Sequence, residues 1–100
     1  MRSEQHRRNV ADLPCIKCSI EGYSQAAHAN NHVFGKGRGI KSDDLATFPL
    51  CCDRPGIIGC HTKHDRYIDI TKEEANEKEI GYVLATLITL GQLGKLKAIK

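Results

Sequence analysis

Five cysteines in a chain of 100 residues constrain the fold more than any other feature of this sequence. Cys15 and Cys18 enclose two residues in "LPCIKCSIEG". Cys51 and Cys52 are adjacent, and Cys60 follows after the turn-rich "DRPGIIG". A domain of this length buries only about two-thirds of the surface its unfolded chain exposes, so such domains often add a metal or disulfide staple. The compartment decides which. The N-terminal "MRSEQHRRNVADLP" lacks the apolar core of a secretory signal. The most apolar run, "IGYVLATLITL", is shorter than the roughly 20 residues needed to cross a bilayer. The expected location is the cytoplasm, with no membrane partner. There structural disulfides are rare, and clustered Cys and His more often bind metal.

The Cys15–Cys18 pair forms a knuckle whose two thiolates can reach one tetrahedral zinc, while amides of the turn soften their charge. The second pair is expected to be Cys60 with either Cys51 or Cys52. Cys51 is preferred, because the apolar "PLC" strand would end with it at the site. A redox role for Cys-x-x-Cys is the alternative, but no thioredoxin-like βαβ pattern surrounds the motif.

Around these cysteines the chain divides into three stretches. Residues 1–12 read as a flexible or helical basic lead-in. Residues 13–70 hold the metal-binding core, with "LPCIKCSIEGYSQAAHA" forming two short extended pieces interrupted at Gly22. Next come the Gly-rich, charged loop "NNHVFGKGRGIKSDD", the strand "LATFPLC" with Pro49 marking an edge, and one or two helical turns in "CHTKHDRY". Residues 71–100 carry a helix expected over 72–90. It starts at the capping box Thr71…Glu74 and ends at Gly91 or Gly94, with apolar positions at helical spacing. That helix is expected to cover the core or to pair with a second subunit.

Within "GCHTKHDRY" the ligand types change. If Cys60 closes the zinc site, His61 begins a helix and shares a face with Asp65 four residues on. His64 lies to the other side of His61 and competes with Asp65 as second ligand. Imidazole plus carboxylate suits a hydrated divalent ion with open positions for water and phosphate. His28 ends a strand just before the basic loop. The net charge of +3 is too small to indicate nucleic acid by itself. Its distribution says more, with Arg2, Arg7 and Arg8 at one end and Lys36, Arg38 and Lys41 in the loop. His32, in the same loop, reads as a loop or phosphate-contacting residue, and His6 as uninformative.

The order of "CIKC", "AAH", "GKGRGIKSDDL", "PLC" and "CHTKHD" resembles the HNH, or ββα-metal, nucleases. It is most similar to the small phage-encoded type that includes the recombination-enhancement nucleases of temperate phages. The resemblance covers residues 15–66. It implies an α+β fold, a zinc-stapled ββα-metal (His-Me finger) domain with a C-terminal helix. It also implies a metal-dependent endonuclease that hydrolyses DNA phosphodiester bonds in phage or prophage recombination or processing. His28 becomes the general base. His61 is a ligand of a catalytic Mg²⁺, Mn²⁺ or Zn²⁺ together with Asp65 or His64, and a recombinase filament is a conceivable partner besides DNA. Ala27 stands where many family members have Asp or His. Asp44 stands where the family has Asn, and is expected to pin the loop through backbone hydrogen bonds. The basic loop and Arg7 and Arg8 would hold phosphates without reading bases. The competing function is a catalytically inactive zinc-stapled module that binds nucleic acid or protein; a redox or metal-sensing regulator is the third.

Overall fold

A computed structural model describes residues 3–29 and 44–95. In chain order they form α1 (Glu4–Ala11), β1 (Ser24–His28), β2 (Thr47–Cys51), α2 (Cys60–Asp65) and α3 (Lys72–Gln92). The architecture is α+β, a two-stranded antiparallel sheet with helices on it and a long C-terminal helix.

The strands pair so that Ala27 faces Phe48 and His28 faces Thr47. Side chains alternate between faces along a strand. One face carries Gln25, Ala27, Phe48 and Leu50. Ala27, Phe48 and Leu50 pack in the main core with Cys15, Cys51, Cys60 and Val83. The other face presents Ala26 to a second cluster of Val10, Leu13 and Leu90. Pro49 is tolerated inside β2 because a two-stranded sheet has two free edges. It needs no donor there, and its carbonyl accepts the Ile16 N–H at 2.9 Å. Through that bond the first of the two expected extended pieces docks on β2 without becoming a strand.

The N-terminal segment takes the helical of its two expected forms. Ser3 caps α1 by accepting the His6 N–H. Val10 is fully buried, and the helix packs against both strands. The sequence left this helix undecided because only Val10 and Leu13 mark its apolar side; its other buried contact is His6.

At the other end Thr71 accepts the Glu74 N–H at 3.1 Å and donates its hydroxyl to the Glu74 carboxylate. This is the N-cap half of the capping box read in the sequence, with the Glu74 carboxylate on the Thr71 hydroxyl. The helix runs through Gly91 to Gln92 and stops only where Gly94 takes a φ of +72°, with the Lys95 N–H returning to the Leu90 carbonyl. Glycine inside a helix costs about 1 kcal/mol but does not break it. The left-handed residue after the C-cap is what ends it.

Between β2 and α2 the "RPGI" segment closes a tight turn. Arg54 and Ile57 exchange both backbone hydrogen bonds, with Pro55 first and Gly56 at φ +74° second, the residues a type II turn demands. Gly59 then brings the chain against the backbone of Cys51 and Cys52, so close that a Cβ there would overlap both. Gly59→Ala is therefore expected to destabilise the protein by about 3 kcal/mol through forced backbone displacement, read as a lower denaturation midpoint in urea.

Candidate metal centre and candidate active site

Cys15, Cys18, Cys51 and Cys60 bring their sulfurs within 4.8 Å of one another. They form a four-cysteine cluster that can hold a structural metal ion such as zinc. Three structural features deliver them. The knuckle turns at Ser19, whose φ is +66° and whose N–H bonds the Cys15 carbonyl. Cys51 is the last residue of β2, and Cys60 the first of α2. The long Cys51–Cys60 interval is absorbed by the Pro55–Gly56 turn and the close approach at Gly59. Cys18 and Cys51 have sulfurs 3.8 Å apart. That matches the edge of a tetrahedron with metal–sulfur bonds of about 2.3 Å, whose sulfurs lie about 3.8 Å apart. The Cys51 sulfur also receives the Cys60 N–H at 3.3 Å and an Arg54 guanidinium N–H at 3.6 Å, donors suited to a thiolate. Cys52 stays outside the cluster, its N–H extending the sheet to the Tyr23 carbonyl.

The thiols differ in acidity. Burial pushes Cys15 up, but the amides of Cys18, Lys17 and Cys51 outweigh it and bring this thiol down to about 7. Burial, then the neighbouring Cys51 and Cys15 thiols, pushes Cys60 far above the ordinary thiol range. One thiolate forms readily and a second is opposed by the first. Full ionisation of such a group requires a cation among the sulfurs.

His28 ends β1 and is one-third exposed. Its Nε2 lies 2.8 Å from Asp44 Oδ1, and Asp44 is buried. The second carboxylate oxygen accepts the Ser3 N–H at 2.7 Å and pairs with Arg7 Nε at 3.3 Å. Asp44 thus bonds the side chain of the expected base and the start of α1; the loop it was expected to pin lies outside the described residues. A carboxylate facing Nε2 assigns the proton to that nitrogen and leaves Nδ1 as the basic atom. Beside His28 opens a shallow groove lined by Glu4, Arg7, Arg8, Ala11 and Ala26. Among the described residues Arg8 pairs with the solvent-exposed Glu4, at 2.9 Å, a pairing too weak to withhold it from a phosphate. Lys36, Arg38, Lys41 and His32 lie outside the described residues.

His61 and Asp65 do share a face of α2, with Nε2 and Oδ2 3.3 Å apart. Gln25 Oε1 lies 2.8 Å from His61 Nδ1. A proton on Nδ1 donated to that amide leaves Nε2 and the carboxylate as two acceptors facing each other, an arrangement satisfied by a proton or a cation. Gln25 carried no signal in the sequence, because its role depends on β1 lying beside α2.

Two expectations are corrected. His64 is not a ligand candidate. It lies one turn after Cys60 on the buried face, is 2% exposed, and its Nε2 meets Glu79 of α3 at 2.7 Å. Its ring stands edge-on to Phe48 at 5.5 Å. His28 and the His61–Asp65 pair also do not converge among the described residues. Gln25, which holds His61, lies three positions from His28, about 10 Å along a strand, and on the opposite face. The four cysteines are the sole group of three or more metal-ligating side chains found there.

The buried His64–Glu79 pair ties α2 to α3. Glu79→Leu is expected to cost about 3 kcal/mol, because it strands the polar His64 ring in the core. That should appear as a melting temperature lower by roughly 10 °C or more for a chain of this size.

Comparison of the chain with protein-family models, with curated proteins and with solved structures finds no match. No helix among the described residues is long and apolar enough to cross a membrane.

Proposed function

We propose that the chain is an HNH-like DNA endonuclease that hydrolyses phosphodiester bonds, stapled by zinc on Cys15, Cys18, Cys51 and Cys60. The observation that carries this reading is the His28–Asp44 dyad, seated beside Arg7 and Arg8. The Nδ1 of His28 takes a proton from water as the water oxygen bonds phosphorus and the bond to the leaving sugar oxygen breaks. Asp44 holds the ring's orientation and stabilises the imidazolium that forms. Arg7 and Arg8 contribute positive charge where the phosphate would lie. The order β1, β2, α2, with His28 closing the first strand, further supports the resemblance to ββα-metal nucleases.

His61 and Asp65 fit a divalent cation by donor type, with Gln25 orienting the imidazole as an outer partner does in metal sites. When bound, Mg²⁺ or Mn²⁺ supplies Lewis-acid stabilisation of phosphate charge.

The separation of His28 from this pair favours a second reading, a zinc-stapled DNA-binding module without catalysis. Supercoiled plasmid incubated with the protein and Mg²⁺ or Mn²⁺, with and without chelator, decides between them. Nicking that requires the cation, and that loses its response to the cation in His61→Ala, supports the nuclease. Retardation of DNA without nicking selects the binding module, and the absence of both removes DNA from the account.

A further inference from the structure

The outer face of α3 carries an unusual surface. From residue 80 to residue 94 the sequence "IGYVLATLITLGQLG" contains no charged side chain and no histidine. Ala75, Glu79, Val83, Thr86 and Leu90 face the protein. On nearly the opposite side Ile80, Leu84 and Ile88, at i, i+4 and i+8, are 45%, 59% and 53% exposed. A solvated helix face ordinarily carries charge. Contiguous exposed apolar patches on an otherwise polar surface often mark interaction sites.

We infer that this face is a dimer interface, in which α3 packs antiparallel against α3 of a second copy of the chain. Two features select a second copy. The stripe is self-complementary about Leu84: a two-fold axis there sets Leu84 against its own copy and Ile80 against Ile88. The charges at its ends are also complementary. Glu73 and Glu77 continue the stripe at the N-terminal end, and Lys95 follows the C-terminal end. Antiparallel packing brings each acidic end to the partner's basic end and opposes the two helix dipoles favourably. Parallel packing would set Glu73 and Glu77 against their own copies. Three half-exposed side chains per copy form a small interface relative to the roughly 1,200–2,000 Å² of stable complexes, so the dimer is concentration-dependent, dissociating in the micromolar range.

Sedimentation equilibrium of the full zinc-loaded chain, from about 1 to 300 μM, tests this inference without reference to the nuclease reading. The expected result is a monomer–dimer equilibrium whose dissociation constant rises at least 30-fold in Leu84→Lys. Circular dichroism and zinc content should be unchanged, since Leu84 lies outside both buried clusters. Ile88→Lys serves as a second disrupting variant should Leu84→Lys fail to fold. Glu73→Lys should weaken the dimer, and Glu73→Lys with Lys95→Glu should recover it. A monomer throughout the range overturns the inference and leaves the stripe to a different protein. An unaltered dimer in both Leu84→Lys and Ile88→Lys overturns it too, by locating the interface elsewhere.

Discussion

Cys15→Ser is expected to unfold the protein at 25 °C, as is prolonged incubation of the unaltered chain with a strong zinc chelator. The main core is organised around the cysteine cluster: Cys15, Cys51 and Cys60 belong to it together with Phe48 and Leu50. A structural zinc in a small domain supplies about 10–16 kcal/mol of apparent binding energy at neutral pH, comparable to the roughly 5–15 kcal/mol net stability of a typical domain. Without it, buried thiols and the enlarged Cys51–Cys60 turn contribute too little to offset chain entropy. Cys52→Ser, outside the cluster, should fold, bind metal and melt within a few degrees of the parent. Acid should act like the chelator. The depressed Cys15 thiol favours the ionised form above neutral pH, and every ligand must lose its proton to bind, so falling pH protonates the thiolates, releases the ion and removes its stabilisation. Far-ultraviolet circular dichroism on thermal scans, with metal content measured alongside, checks all four expectations.

His28→Ala should lower the rate of plasmid nicking about 10²–10⁴-fold, the contribution of a positioned general base, with DNA affinity little changed. The imidazole is one-third exposed, but its loss takes a partner from the buried Asp44 carboxylate, so this variant should still fold while melting several degrees lower. Asp44→Asn should reduce nicking less than His28→Ala. An amide oxygen can still accept from Nε2, but it carries no charge to stabilise the imidazolium. Single-turnover rates with DNA binding measured in parallel separate a lost base from lost affinity. If His28→Ala nicks as fast as the parent, the dyad is a structural hydrogen bond and the nuclease reading falls.

The parts of this molecule legible in its sequence are those set by short-range chemistry. The Cys15–Cys18 knuckle, the Thr71–Glu74 box and the preference for Cys51 over Cys52 each follow from local spacing, and the cluster and the cap in the structure agree with them. His64 was legible in principle. Once Cys60 is placed inward at the zinc, the residue one helical turn later must follow it into the core, and a buried imidazole then needs a partner such as Glu79. The roles of α1 and Gln25 were not legible. Asp44 meets Ser3 and Arg7 across 41 and 37 positions of sequence, and Gln25 reaches His61 across 36. Such contacts are fixed by which faces of the sheet the helices cover, which periodicity in a short, polar helix does not reveal. For the same reason, the order of elements implied a cation on His61 beside His28, whereas strand alternation puts His28 on the sheet face opposite Gln25, the partner of His61.

The metal content of the folded, unaltered chain, purified without added zinc and measured by inductively coupled plasma mass spectrometry against protein concentration, tests the organisation of the molecule most directly. One zinc per chain is expected, retained in His28→Ala and in His61→Ala and lost in Cys15→Ser. A folded, monodisperse protein with no bound metal and freely reactive Cys15 and Cys18 would contradict it, as would loss of the zinc on His61→Ala.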